Sequence, residues 1–199
     1  MGNLAAREAD GEFQVNASGS GLLRLLQGYI KLGCYPVDMM DATIEFSPID
    51  KVAEAVVLLA GTPDGFTVFH AKNCHEIHYG YLMAALNTMG HRIDIVEREE
   101  FEERFKRILD EGSDLTDFTG FIAYLDRTDA SVTDMMVYND DATNSAEAAQ
   151  EAPYETRIKV ASDTAFTTKA LYRLGFAWPL TSKEYLDSMI SMLDDHAFF

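Results

Sequence analysis

Two histidines lie three residues apart in the segment Cys74-His75-Glu76-Ile77-His78, and imidazole nitrogens at such spacing are common metal ligands. The segment is one residue shorter than the H-E-x-x-H pattern of zinc proteases, and no third ligand is specified nearby. The pattern therefore favours ordinary polar residues at the start of a helix over a metal centre.

Neither nucleophilic nor nucleotide chemistry has a complete motif. The chain has no G-x-S-x-G turn and no G-x-x-x-x-G-K-[ST] loop, and nothing around Cys34 or Cys74 marks a catalytic thiol. Gly19-Ser20-Gly21 could offer backbone N–H groups to a phosphate. However, no predicted strand precedes it, and Arg24 stands where a dinucleotide fingerprint has its third glycine. None of the nine tyrosines has a lysine four residues later, so the Tyr-x-x-x-Lys pair of short-chain dehydrogenases is absent.

The composition is that of a globular protein with an acidic surface. The chain has 199 residues, is 47% hydrophobic and carries a formal charge of -17. Such a surface repels phosphate backbones and anionic lipid, so we expect neither nucleic-acid nor membrane binding. No apolar run approaches bilayer length, and two cysteines without C-x-x-C spacing indicate reduced thiols. We therefore expect a cytoplasmic protein.

The first half of the chain alternates predicted helices and strands. Ser20 and Gly33 bound a helix, and residues 42–46 alternate as a strand. Ser47-Pro48-Ile49-Asp50 predicts a capping box, with Ser47 as the N-cap. The helix that follows has a predicted apolar face of Val52, Ala53, Val56, Val57 and Leu59 and ends at Gly61.

The same pattern continues further along the chain. Residues 67–70 read as a strand, Asn73 as the N-cap of a helix that Gly90 stops, and residues 92–96 as another strand. An amphipathic helix then presents Phe101, Phe105, Ile108 and Leu109, and another is predicted over 115–125.

The last third begins with an acidic stretch. Residues 126–156 read as an acidic loop, 157–160 as a short strand, and the remainder as two helices. The first of these has Phe166, Ala170, Leu171 and Leu174 on its face, and a capping box beginning at Thr181 opens the second, whose inward residues are Leu186, Met189, Ile190 and Leu193. We predict one α/β (α+β) lobe over 1–199, made of a loop (1–20), helices and strands (21–125), the acidic loop (126–156) and C-terminal helices (157–199).

Several segments, taken in order, resemble one branch of the extended short-chain dehydrogenases. They are Gly2-Asn3-Leu4, the loop 10–16, Phe46-Ser47-Pro48-Ile49-Asp50-Lys51-Val52-Ala53, Phe69-His70 with Asn73, Leu174-Gly175-Phe176-Ala177-Trp178-Pro179, Tyr185-Leu186 and the final His196-Ala197-Phe198-Phe199. The branch is the thioester reductase domain of non-ribosomal peptide synthetases, which is related to carboxylic acid reductases. The chain resembles its C-terminal, substrate-binding part, which implies a helix-rich fold with an incomplete Rossmann sheet.

The resemblance also implies a function. The whole enzyme would reduce a peptidyl or acyl thioester, held on a carrier protein by phosphopantetheine, to an aldehyde or alcohol with NADPH or NADH. This portion has no counterpart of the glycine-rich loop or of the catalytic Tyr and Lys, so we expect no catalytic residue and no cofactor binding by this chain alone. The resemblance places Gly2 and Asn3 at the cofactor cleft and gives substrate contacts to Asn16, Tyr35, Met39, Met40 and Phe46.

Alternatives stay open at this point. The chain could be a non-catalytic interaction module that docks a carrier protein or synthetase, or part of an NAD-dependent sugar-nucleotide epimerase-like protein. A separate N-terminal half is a conceivable partner, and incomplete sheet edges favour some dimerisation.

Overall fold

The computed structural model describes residues 2–13, 19–62, 68–110 and 164–198. In chain order the elements are β1 (Leu4–Ala5), α1 (Gly21–Leu32), β2 (Cys34–Pro36), a 3-10 turn (Val37–Met39), β3 (Thr43–Glu45), β4 (Ser47–Pro48), α2 (Ile49–Ala60), β5 (Glu76–His78), α3 (Tyr79–Thr88), β6 (Asp94–Val96), α4 (Arg98–Asp110), α5 (Ala165–Arg173) and α6 (Lys183–Asp195). The predicted helix-rich α/β class with a few short strands is confirmed.

The strands pair two by two among the described residues. β1 runs parallel to β4, with Leu4 opposite Ser47, and β2 runs parallel to β6, with Tyr35 opposite Ile95. β3 and β5 are antiparallel, with Ile44 opposite Ile77. Most of the buried hydrophobic residues lie in the helices and not in these short strands.

Local signals predicted α1 correctly at both ends. The Ser20 hydroxyl accepts a hydrogen bond from the Leu23 N–H, which satisfies one of the free donors of the first turn. Gly33 adopts φ +67°, and its N–H donates to the Tyr29 and Ile30 carbonyls. A left-handed residue at this position ends the helix without the steric cost that a side chain would add.

Two predicted caps are wrong because their side chains are used in tertiary contacts. Ser47 and Pro48 belong to β4, and α2 begins at Ile49 with no side-chain cap. Asn73 does not cap a helix either, since α3 begins at Tyr79 and residues 76–78 form β5. The predicted strand over 67–70 has no counterpart in residues 68–70, which are irregular.

Two helix faces and one helix cap differ from the predicted pattern. In α2, Val52, Ala55 and Leu59 are buried, whereas Val56 and Val57 are exposed. In α5, Phe166 and Leu174 are exposed, and Thr167 takes the buried position beside Leu171. The cap of α6 is Ser182 and not Thr181, because the Ser182 hydroxyl accepts from the Tyr185 N–H at 3.2 Å.

The apolar side chains of the helices and strands pack into two buried clusters. The main cluster joins α1, β2, α3, α4 and α6, and its largest side chains with almost no exposure include Tyr29, Tyr35, Phe46, Phe101 and Phe105. The second, which we call the Trp178 cluster, consists of Val52, Ala55, Leu59, Ala71, Leu171, Phe176 and Trp178. The buried faces predicted for α6 and for Phe101 and Phe105 in α4 are confirmed.

The predicted helix over 115–125, the acidic loop over 126–156 and the strand over 157–160 lie outside the described residues. Among the helices that the structure describes, none is both long and apolar enough to cross a membrane.

Candidate functional site

Gly2 and Asn3, together with β1, form an N-terminal strand segment that is hydrogen-bonded to the residues around β4. The Asn3 carbonyl accepts the Ser47 N–H at 2.9 Å, and the Asn3 side-chain amide donates to the Glu45 carbonyl at 3.2 Å. On the other side of the strand, the Gly2 N–H donates to the Ala71 carbonyl at 3.2 Å. Gly2 and Asn3 are thus hydrogen-bonded to Ala71 and to the two residues that flank Phe46, namely Glu45 and Ser47.

A buried polar network underlies this region, and the sequence patterns did not reveal it. The Asn3 N–H donates to Glu45 Oε1, and the Ser47 hydroxyl donates to Glu45 Oε2 at 2.6 Å. The Ser47 oxygen in turn accepts the Asn73 N–H at 2.9 Å. Burial raises the pKa of the Glu45 carboxyl group, and the hydrogen bonds from Ser47 and Asn3 oppose that shift.

Asn73 extends this network to the C-terminal segment. Its side-chain amide donates to the Phe46 carbonyl at 2.8 Å and to the Pro179 carbonyl at 3.0 Å, and its side-chain oxygen accepts the His75 N–H at 3.0 Å. Asn73 is therefore a buried connector between β4 and the segment that carries Trp178, and this role replaces the predicted helix cap.

Among the predicted substrate residues, Tyr35 lies in β2, and Met39 and Met40 lie in the turn that follows this strand. The Tyr35 ring is fully buried, and its hydroxyl donates to the Met39 carbonyl at 2.6 Å. Burial raises the pKa of Tyr35 well above its ordinary range, so the phenol stays protonated. Met39 and Met40 are only partly buried, so these two predicted substrate contacts are accessible at the surface.

Tyr35 is held by aromatic neighbours on both sides. Its ring stacks on Tyr79 with centroids 5.9 Å apart and meets the edge of Tyr29 at 4.9 Å. Phe46 is also fully buried. Tyr35 and Phe46 therefore belong to the buried core, whereas Met39 and Met40 are only partly buried. Asn16, the remaining predicted contact, lies outside the described residues.

Cofactor and metal chemistry find little support in the described residues. The N-terminus of α1 is capped by its own Ser20, and no turn that leads from a described strand into a helix is rich in glycine. None of the described residues forms the glycine-rich strand-to-helix turn that holds the phosphates of a dinucleotide. No cluster of three or more metal-ligating side chains occurs in that part either. Burial raises the pKa of the Cys34 thiol to about 11, which makes it a poor nucleophile.

An open groove along α4 has the wrong lining for an acyl chain. Its walls are charged, with Glu97, Glu99, Glu100, Glu103, Arg104 and Arg107 around the apolar Leu32 and Ile108. Pockets for apolar ligands are lined mainly by hydrophobic side chains. The predicted substrate contacts Met39 and Met40 do not line this groove.

Several solved structures to which this chain is similar contain reductase domains. The chain is 28% identical to a thiolation-reductase di-domain from an archaeal non-ribosomal peptide synthetase, with a TM-score of 0.73 over 98% of this chain and 35% of that one. The terminal R domain of the myxalamid PKS-NRPS pathway gives 18% identity and a TM-score of 0.61 over 99% and 43% of the two chains. The reductase domain of a non-ribosomal peptide synthetase from Mycobacterium tuberculosis gives 18% and 0.61 over 98% and 45%.

Among family models and curated protein sequences, none matches the chain. The chain spans less than half of the length of each of the three reductase structures, and nearly all of it is aligned in each comparison. The resemblance predicted from the sequence is thus confirmed: this chain has the fold of part of a reductase domain and resembles the C-terminal portion of the thioester reductase domains of non-ribosomal peptide synthetases.

Proposed function

We propose that this chain is the substrate-side portion of a reductase that releases a carrier-bound peptidyl or acyl thioester as an aldehyde or alcohol. The observation that carries the proposal is the similarity of almost the whole chain to a thiolation-reductase di-domain. A thiolation domain is the carrier in such assemblies, so the proposed partner is a carrier protein bearing an acylated phosphopantetheine.

The partly buried methionines Met39 and Met40 support a contact with the acyl part of that substrate. Met39 and Met40 lie at the surface of a turn that Tyr35 fixes from behind, and flexible thioether side chains adapt to apolar ligands of different shape. Tyr35 contributes by holding this turn in place through its hydrogen bond to the Met39 carbonyl, and Phe46 packs in the same buried cluster as Tyr35. Asn16 stays a predicted contact.

The proposed role does not include hydride transfer. NADPH or NADH would supply the hydride in the whole enzyme, and none of the described residues forms the glycine-rich turn that holds its phosphates, so we assign them no step of that transfer. Gly2 and Asn3 stay as the proposed junction between the cofactor and the substrate. A tendency to dimerise and a separate N-terminal half as partner also stay predictions.

A calorimetric titration of the purified chain tests this function. We expect a carrier protein loaded with octanoyl-phosphopantetheine to bind, and NADPH and NADH to give no heat of binding. The matched controls are the same carrier with unacylated phosphopantetheine and the carrier without the prosthetic group. Tighter binding of the acylated form, by about tenfold, is the result expected if the acyl chain buries apolar surface on Met39 and Met40.

Each contrary result has a distinct meaning. Equal binding of all three carrier forms would contradict a substrate-side role and favour a non-catalytic docking module. Binding of NADPH or NADH in the micromolar range would show that the chain holds a nucleotide site, and the division of labour proposed above would be wrong.

A further inference from the structure

Glu45 is a carboxyl group in a place where carboxyl groups are rare. The residue is only 4% exposed, and it ends the three-residue strand β3, in which it follows the buried Ile44. Glutamate is almost never fully buried unless its oxygens are paired. A buried Glu45 therefore calls for a reason beyond the packing of β3.

Its two oxygens bind two different parts of the chain. Oε1 accepts the backbone N–H of Asn3, which is 42 residues away in sequence, and Oε2 accepts the hydroxyl of Ser47. Hydrogen bonds to a charged acceptor are about twice as strong as neutral ones. The carboxyl group thus clamps the N-terminal strand segment to β4 from within the protein.

The carboxyl group of Glu45 leaves no room for a side chain at Gly2. A Cβ atom at that position would collide with Glu45 Oε1 and would lie 2.5 Å from Ser47 Oγ. Real Cβ atoms essentially never approach so closely, so any larger residue would displace the carboxyl group or the strand. The glycine is thereby explained by its contact with Glu45, without reference to a cofactor.

We propose that Glu45 is a positioning residue, whose carboxyl group fixes the Gly2–Asn3 segment in the conformation that meets the ligand. The ligand part of this inference rests on the function proposed above, whereas the clamp itself rests on the contacts among Glu45, Asn3, Ser47 and Gly2. No ligand atom contacts Glu45 in this scheme, because it acts through the backbone of Asn3.

The test follows the Asn3 backbone amide by nuclear magnetic resonance in the full chain. In the wild type without ligand, we expect the Asn3 amide proton to shift downfield, to titrate with Glu45 and to exchange slowly with solvent. Glu45→Ala should make that exchange about ten- to a hundredfold faster, the range expected for the loss of a hydrogen bond to a charged acceptor. Glu45→Gln keeps an acceptor oxygen and should restore slow exchange without the titration.

Two further variants separate positioning from general stability. Ile190→Val destabilises the main cluster away from the clamp and should leave the Asn3 amide shift unchanged. Gly2→Ala would bring a methyl group against Glu45 Oε1, the atom that accepts the Asn3 N–H, and should move the Asn3 shift. It therefore replaces Glu45→Ala if that variant does not fold. The proposal would be overturned if neither the Glu45 nor the Gly2 substitution changed the chemical shift and the exchange rate of the Asn3 amide.

Octanoyl-pantetheine then serves as the ligand probe. We expect it to perturb the Asn3 amide in the wild type and in Glu45→Gln, and to lose that perturbation in Glu45→Ala. If it binds to no variant, the proposed function fails, while the ligand-free exchange data still decide whether Glu45 holds the segment. If it binds and perturbs Asn3 equally in Glu45→Ala, the positioning role is wrong and the proposed function stands.

Discussion

At the scale of single residues, Glu45 shows how burial and hydrogen bonding compete at one carboxyl group. Loss of hydration raises its pKa, and this is the largest influence. The hydrogen bonds from Ser47 and Asn3 and the nearby Lys72 lower the pKa, whereas Glu76 raises it. The shift that remains is upward, so the folded chain binds a proton at Glu45 more tightly than the unfolded chain does.

This shift predicts a pH dependence of stability. Between the unfolded-state pKa and the higher folded-state pKa, the contribution of Glu45 to the free energy of unfolding falls as pH rises, and it stays at its lower value above that window. Glu45→Gln removes the titration. We therefore expect the variant to gain stability relative to the wild type as pH is raised from about 4 towards neutrality.

Urea unfolding of both proteins at several pH values measures this difference. Glu54→Gln is the matched control, because it makes the same chemical change at an exposed position of α2 beside Lys51. The difference between Glu54→Gln and the wild type gives the effect of removing one exposed carboxyl group, and it is subtracted at each pH. Parallel stability profiles for the wild type and Glu45→Gln would show that burial does not raise the pKa of the Glu45 carboxyl group.

At the scale of the elements, the cap of α6 separates two neighbouring hydroxyl groups. Ser182 accepts the Tyr185 N–H, whereas the Thr181 hydroxyl is buried without a hydrogen-bond partner among the described residues. The capping-box pattern in the sequence indicates Thr181, because Glu184 follows it three residues later. Only the backbone geometry selects Ser182, whose φ of -82° and ψ of 167° are those of an N-cap.

We expect Ser182→Ala to lower the free energy of unfolding by about 1 kcal/mol, the usual effect of losing an N-cap side chain. Thr181→Val should have a smaller effect, because it replaces an unpaired buried hydroxyl with a methyl group of similar size. Urea denaturation of the two variants makes the comparison. A larger loss for Thr181→Val would mean that Thr181 is the cap, as the sequence pattern indicated.

The elements also show which signals in a sequence are sufficient. The ends of α1 were predictable because Ser20 and Gly33 act on the backbone a few residues away. Ser47 and Asn73 are residue types that cap helices, but here they bond across the fold, and no local pattern distinguishes the two uses. Strand alternation likewise put Glu45 on the opposite face from Ile44, without indicating that both faces are covered.

At the scale of the whole molecule, the described residues form two buried clusters of unequal size. The Trp178 cluster has only seven buried members, from α2, α5 and the segments around Ala71 and Trp178. Asn73 bonds to the carbonyls of Phe46, in the main cluster, and of Pro179, next to Trp178. We infer that this side chain couples the unfolding of the two clusters.

The only tryptophan of the chain makes that coupling measurable. Fluorescence of Trp178 reports on the smaller cluster, and far-ultraviolet circular dichroism reports on all helices. We expect the two urea transitions to coincide in the wild type, as in a cooperative domain. Asn73→Ala leaves buried carbonyl groups without donors, which costs about 2 to 4 kcal/mol, and should move the fluorescence transition to lower urea than the dichroism transition.

Asn87→Ala is the matched control for this last prediction. Asn87 also bonds to backbone groups, but both belong to Ile93 within the main cluster. Its loss should destabilise the chain by about 1 kcal/mol and shift both transitions together. If Asn73→Ala also shifts them together, the two clusters unfold as one unit without Asn73, and their coupling must come from the paired strands β1 and β4 and the contacts of Leu4 with the Trp178 cluster.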